Sequence, residues 1–164
     1  LMDLATHQAT RVFKVGAQPH HTTLSPDYQY VYLINGGNAS LSFIPVQEAK
    51  LSRSTKITTI PIGGDLIGIV FSDDSPTAYI VNREKDQIDL IDTSSQKWRG
   101  AIPVGPNPEV AALTPDGRYL FVANTGNGTA SIIETQSEKV TKTLKGIGQY
   151  PWAIDVMGGR NFCH

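Results

Sequence analysis

Apolar residues fall in short bursts along this chain, each closed by turn-forming residues. Tyr30-Val31-Tyr32-Leu33-Ile34-Asn35, Ala78-Tyr79-Ile80-Val81-Asn82 and Tyr119-Leu120-Phe121-Val122-Ala123-Asn124 are rich in aromatic and β-branched residues and all stop at asparagine, the composition of a strand. A smaller apolar stretch precedes each, as in Ile69-Val70-Phe71 and Val110-Ala111-Ala112-Leu113. The two stretches are joined by Ser25-Pro26-Asp27, Ser72-Asp73-Asp74 or Thr114-Pro115-Asp116-Gly117. These are turns, in which proline presets φ and glycine tolerates the left-handed region. Gln87 to Asp92 and Thr129 to Glu134 predict a third strand, and Trp98 to Val104 and Lys139 to Leu144 a fourth. Polar and apolar side chains alternate in them with the period of two that burial between sheets requires.

The unit repeats. Pro19, Leu66, Pro108 and Pro151 hold the same place in successive copies, at spacings of 47, 42 and 43 residues. A period just above forty with four short strands per copy is the mark of propeller blades. The expected fold is therefore an all-β propeller of four-stranded blades, with an outer half-blade at 1–16, blades at 17–63, 64–105 and 106–148, and an inner half-blade at 149–164. Leu1 to Thr6 matches a third strand and Thr10 to Val15 a fourth, while the C-terminal copy decays at Val156-Met157-Gly158-Gly159 and Phe162. Gln47 to Lys56 reads as a polar loop insertion. Two outer strands at one end and two inner strands at the other add up to one blade. The chain therefore closes a four-bladed ring or forms part of a larger one, which a longer chain or a second copy completes; either closure removes exposed sheet edges.

Composition narrows the partners. With 40% hydrophobic and 18% charged residues and a formal net charge of -1, the chain lacks the concentrated basic surface that nucleic-acid binding needs. No apolar run approaches the ~20 residues of a membrane span. Leu1 is followed by neither a basic n-region nor an apolar h-region, so a signal peptide is expected to have been removed or to lie outside this sequence. Cys163 is alone, which excludes an intrachain disulfide and leaves the redox compartment open.

Val-Gly-x-x-Pro, then Leu-Thr/Ser-Pro-Asp, a strand ending in Asn, and later Ile-Asp-Thr, together resemble the YVTN-type β-propeller repeat family. Pro108 to Thr135 is near consensus, Pro19 to Asn35 good and Leu66 to Thr93 looser. The resemblance implies a ring of seven or eight blades and a place outside the cytoplasm: periplasmic, secreted or cell-surface. Relatives of that family include surface-layer propellers, lactonase-like propellers and the haem-d-binding propeller of cytochrome-type nitrite reductases. Such a ring hosts many unrelated sites, so the fold alone does not choose the function.

Superposing the copies puts His20 level with Ile67, Glu109 and Trp152, and His21 level with Gly68, Val110 and Ala153. These positions open the innermost strand, where residues that differ between blades can make a site. A rim of His20, His21, Glu109 and Trp152 offers imidazole and carboxylate ligands for a metal or an axial histidine for a flat cofactor such as haem. The structural alternative makes the histidines strand-start residues bonded to neighbouring loops. Asp155, level with Thr23, Val70 and Ala112, is either a channel-facing carboxylate or one paired with a neighbour. Asn35, Asn82 and Asn124, like Asp27, Asp74 and Asp116, recur in every complete copy and read as turn residues. Cys163-His164 lacks the first cysteine of a haem-attachment motif, since position 160 is Arg, and the thiol reads as a small buried hydrophobe. Asn38-Ala39-Ser40 and Asn127-Gly128-Thr129 are glycosylation-type sequons in loops. Phosphate loops, nucleophile elbows and zinc-type clusters are missing from the sequence.

Two functions are therefore expected. The first is a non-catalytic binding or assembly module of an exported or cell-surface protein, without a cofactor, whose partner is another protein or a second copy completing a larger ring. The alternative is a redox or hydrolytic propeller, haem- or metal-binding, with its site at the channel mouth.

Overall fold

The computed structural model describes residues 1–51, 55–158 and 160–161. In chain order it holds β1 (Met2–Asp3), β2 (Gln8–Ala9), β3 (Pro19–Leu24), β4 (Tyr30–Asn35), β5 (Ser40–Pro45), α1 (Val46–Leu51), β6 (Thr58–Pro61), β7 (Leu66–Phe71) and β8 (Thr77–Asn82). There follow β9 (Gln87–Asp92), β10 (Lys97–Pro103), β11 (Pro108–Leu113), β12 (Tyr119–Asn124), β13 (Thr129–Glu134), β14 (Lys139–Lys145) and β15 (Arg160–Asn161). The first sheet runs β3-β4-β5-β6, the second β7-β8-β9-β10, and the third β11-β12-β13-β14 with β15 added beside β11. Neighbouring strands in them are antiparallel. This is the blade architecture that the repeat predicts.

Alternation along the strands of the second sheet divides its side chains between two cores. Ile69, Phe71, Ala78, Ile80 and Ile91 face the first sheet and meet Tyr32, Ile34, Leu41 and Phe43. Tyr79, Val81, Ile88 and Leu90 face the third and meet Ala111, Leu113, Leu120, Val122 and Ile133. Tyr32 anchors the first of these interfaces, edge-on to Phe43 and Phe71 with both ring centroids at 4.8 Å. Each buried side chain of this size contributes about 1.5–3 kcal/mol, so neighbouring sheets are held mainly by apolar contact.

Within each sheet a glycine and an asparagine lock the loop before the first strand against the end of the second. A Cβ on Gly16 would lie 2.5 Å from Asn35, and one on Gly105 2.6 Å from Asn124. Only glycine lets the backbone approach so closely. The asparagine amide then reaches across to the third strand. Asn35 Nδ2 donates to Ser40 Oγ (3.1 Å) and Ser42 Oγ (2.9 Å), and Asn124 Nδ2 to Thr129 Oγ1 and Ser131 Oγ (3.0 Å each). In the second sheet Asn82 Nδ2 donates to Asp89 Oδ2 at 2.7 Å. Asp89 is buried, and Gln87 Nε2 (2.8 Å) and Trp98 Nε1 (2.9 Å) donate to its other oxygen. Both sequons belong to this network, because Ser40 Oγ donates to Asn38 Oδ1 (3.0 Å) and Thr129 Oγ1 to Asn127 Oδ1 (2.7 Å).

The turns between first and second strands are fixed by their acids. Ser25 Oγ donates to Asp27 Oδ1 and Thr114 Oγ1 to Asp116 Oδ1, both at 2.5 Å, while Gln29 N and Arg118 N donate to the same carboxylates. The hydroxyl bonds first, and the backbone bonds after them, hold both carboxyls below their ordinary value.

Three expectations need correction. The first is at the N-terminus, where Leu1 to Thr6 and Thr10 to Val15 do not form two full strands. The structure has only the exposed two-residue pair β1 and β2 between Met2 and Ala9, and Thr10 to Val15 carries no strand. A lone hairpin has no third strand or apolar face to stabilise it. The second is at the other end. Trp152 to Val156 is not an inner strand, and β15 pairs instead with β11, Ala112 opposite Asn161 and Leu113 opposite Arg160. The free edge of β11 accepts it because an unpaired edge is a template for another strand. Among the described residues β1 and β2 pair only with each other, and no strand pairing joins the two ends. Third, α1 occupies part of the expected loop over Gln47 to Lys56, where good helix formers carry Glu48 in the first turn and Lys50 in the last. Phe162, Cys163 and His164 lie outside the described residues.

Gly105→Ala should destabilise the protein by about 1–3 kcal/mol, the usual cost of overpacking, as read from urea unfolding; a change below about 0.5 kcal/mol would contradict the clamp. A second test uses acid. Asp27 and Asp116 have folded pKa values below the ordinary 3.8, so their contribution is complete above 3.8 and is lost as pH falls towards the folded values. Replacing both, as Asp27→Asn with Asp116→Asn, should flatten the loss of stability seen across that window.

Candidate binding site at the inner-strand rim

Each of the three sheets carries a β-bulge at the second residue of its first strand. Pairing passes from Pro19↔Asn35 to His21↔Ile34, from Leu66↔Asn82 to Gly68↔Val81, and from Pro108↔Asn124 to Val110↔Ala123. The residues left out of register are His20, Ile67 and Glu109, the level set read from the sequence. A bulge re-aims its side chain away from the pleat. At this rim it brings the polar side chains, His20 and Glu109, into contact with the second sheet.

His20 Nε2 donates to the Leu66 carbonyl at 3.1 Å, from the first sheet to the second. Since a carbonyl only accepts, this bond places a proton on Nε2. The opposite edge of the ring lies over Gly36, where a Cβ would come within 3.0 Å of Nδ1 and Cε1. Glycine at 36 therefore makes room for the imidazole.

Arg83 makes the corresponding link from the second sheet to the third. Its Nε and Nη2 hold Asp65 Oδ2 at 2.8 and 2.6 Å, and its Nη1 donates to both Glu109 oxygens at 3.3 and 3.2 Å. Arg83 N also donates to the Asp65 carbonyl at 2.8 Å. Bonding to Asp65 foremost, against the opposing effect of burial, raises the guanidinium pKa above its ordinary value. Glu109 is only 4% exposed, so its charge is matched by Arg83 where water does little to screen it. Asp65 and Leu66 are adjacent, and the contacts join into one path across three sheets: His20 to Leu66, then Asp65 to Arg83 to Glu109.

The other candidates are His21, Trp152 and Asp155. His21 is half-buried in register with Ile34. Trp152 is 63% exposed in a segment without strand, and Asp155 is exposed in the same segment. Glu109 is bound to a guanidinium, and with Nε2–H held by the Leu66 carbonyl the donor left to His20 is Nδ1. Among the described residues no three His, Cys, Asp or Glu side chains gather to hold a metal ion.

Sequence reading passed over Asp65 and Arg83. The signal was there in the repeat: Asp65 stands level with Gln18 and Asn107, and Arg83 with Gly36 and Thr125. One sheet thus carries an acid and a base where the others carry neutral residues.

Comparison with known proteins agrees with this architecture. Residues 2–151 match the family model described as lactonase, 7-bladed beta-propeller. The antigen Lp49 of Leptospira interrogans is 26% identical over an alignment covering 87% of this chain and 34% of that protein. Hydrazine synthase of Kuenenia stuttgartiensis superposes with a TM-score of 0.72 at 22% identity, over 88% of this chain and 40% of that one. A putative 6-phosphogluconolactonase of Bacteroides fragilis gives 0.70 at 21%, over 92% and 44%. The dihydro-heme d1 dehydrogenase NirN gives 0.65 at 17%, over 80% and 28%. At these identities the solved structures share the fold alone, and this chain spans about a third of the curated relative's length. Blade-like sheets, their recurrent bulge and a match running from residue 2 to residue 151 lead to one assignment: the chain belongs to the lactonase family of seven-bladed β-propellers.

Proposed function

We propose that this chain is a sector of a ring-shaped binding module in an exported or cell-surface protein, and that it binds rather than transforms its ligand at the inner-strand rim. The observation that carries this reading is the Asp65–Arg83–Glu109 network. A carboxylate that serves as a general base or nucleophile must meet its substrate. Here both rim carboxylates are engaged by one guanidinium, Asp65 within its own sheet and Glu109 as a brace from the next. The variable residues at the bulges then give the rim its own shape and polarity, as recognition requires. Export is supported by the likeness to the YVTN-type repeat and by a relative that bears the name of an antigen. Among the described residues no helix is long and apolar enough to cross a membrane.

One observation favours a second reading, hydrolysis at the same rim. With Nε2–H held by the Leu66 carbonyl, neutral His20 presents Nδ1 as a lone pair over Gly36, an arrangement suited to a general base. The family description and the Bacteroides structure both carry a lactonase name, which makes a lactone the substrate to try. Purified protein at its natural length should leave 6-phosphogluconolactone to hydrolyse at the buffer rate, and His20→Ala should change nothing. Hydrolysis well above that rate and lost in His20→Ala would replace the binding reading with the hydrolytic one.

A further inference from the structure

A cavity of about 330 Å³ opens between the first and second sheets, at the ends of their strands opposite the rim. Tyr30, Tyr32 and Phe71 give it an aromatic floor, Asp27 and Asp73 stand at its mouth, and Thr93 lies on the wall of the second sheet. Tyr32 and Phe71 are buried, whereas both acids are exposed. Among the described residues that line the cavity there is no Lys, Arg or His. Asp27 is held in its charged form by Ser25 Oγ foremost and then by Gln29 N. Burial first, and the charge of Asp27 after it, raises the Tyr32 phenol above its ordinary value. Negative charge therefore borders neutral rings here.

The interface between the second and third sheets holds the twin of this cleft, and there the protein supplies a cation itself. Adding 47, the spacing of the first two copies, carries Tyr30 and Tyr32 to Thr77 and Tyr79. Adding 42, the spacing of the next two, carries Phe71, Thr93 and Gln96 to Leu113, Thr135 and Glu138. Arg99 bridges this second set: its Nη2 donates to Thr77 Oγ1 at 3.1 Å and to Glu138 Oε1. The bond to Glu138 foremost, against the opposing effect of burial, raises the guanidinium above its ordinary pKa, and Tyr79 is near enough to act on it as well. The first sheet has no such arginine at that level. Its outer strand β6 begins at Thr58 opposite Phe43, as Gly100 stands opposite Leu90 in the second sheet, and the residue before Thr58 is Ile57.

We propose that the first cleft binds a guanidinium group from outside the chain, borne by a small molecule or by an arginine of a protein partner. A planar guanidinium stacks on aromatic rings and donates in a fork to carboxylates, which a lysine ammonium does less well. Its place in the first cleft is the one that Arg99 takes in the second. The site lies at the opposite strand ends from His20 and Glu109, so it goes beyond the rim reading and does not rest on it.

Calorimetric titration of the protein at its natural length tests this with agmatine, with an acetylated glycine-arginine-glycine amide, and with the same peptide carrying citrulline, which keeps the shape of arginine and loses its charge. Agmatine and the arginine peptide should bind, and the citrulline peptide should bind at least roughly tenfold more weakly than its arginine counterpart. Asp73→Asn, at an exposed position, should weaken binding about threefold. Gln96→Glu should tighten it about threefold, since it copies Glu138, which has the same left-handed backbone (φ 54° against 55° at Gln96). Similar affinities for agmatine and the arginine peptide would assign a small guanidinium compound as the ligand, and a peptide at least roughly tenfold tighter would assign an arginine of a protein partner. No binding of either guanidinium probe up to about 10 mM, equal affinity for the arginine and citrulline peptides, or affinity unchanged in both variants would overturn the proposal.

Discussion

Close contact between a backbone glycine and a buried asparagine is what the rest of each sheet depends on. Gly16 against Asn35 and Gly105 against Asn124 leave no room for a Cβ, so the chain enters its first strand at a fixed height relative to the end of the second. Pro19 and Pro108 then sit opposite those asparagines, and the next residue is squeezed out of register as a bulge. The asparagine amide carries the same constraint to the third strand through paired hydroxyls, or through Asp89 in the second sheet. One contact thereby aligns three strands and aims one side chain per sheet at its neighbour.

What the bulges aim decides what the rim is. Apolar faces hold neighbouring sheets together without fixing their rotation closely, because hydrophobic burial is non-directional. The directional contacts come from the bulged residues and the loops beside them. His20 reaches the Leu66 carbonyl and Glu109 receives Arg83. Between the second and third sheets the match is charged and buried at the Glu109 end. Removing one partner there would leave an uncompensated charge, a larger penalty than loss of an exposed pair.

The sequence revealed whatever repeats. Strands, turns and the rim level of His20 and Glu109 were legible because the bulge recurs in each copy, and superposition carries it along. Asn35, Asn82 and Asn124 were legible as structural, although their amides bond mainly to third-strand side chains that a turn reading does not include. Asp65 and Arg83 were missed because Arg83 bonds an acid 18 positions away in its own sheet and one 26 positions away in the next, and averaging over copies hides a charge that occurs once. Trp152 and Asp155 were grouped with the rim by counting alone. Their segment carries no strand, so the repeat does not fix their place in the way it fixes His20 and Glu109. The short end strands were overestimated for a related reason: pattern marks a strand, but a strand persists only where an edge or a core receives it.

The central claim is that Glu109, held by Arg83, braces the third sheet against the second. A double-mutant cycle of Arg83→Leu and Glu109→Gln, read by urea unfolding of the natural-length protein, measures that brace directly. The account predicts a favourable coupling of about 1–2 kcal/mol, as for side chains in one hydrogen-bonded network. Strictly additive effects of the two substitutions would contradict it and would return Glu109 to the list of residues free to act on a ligand.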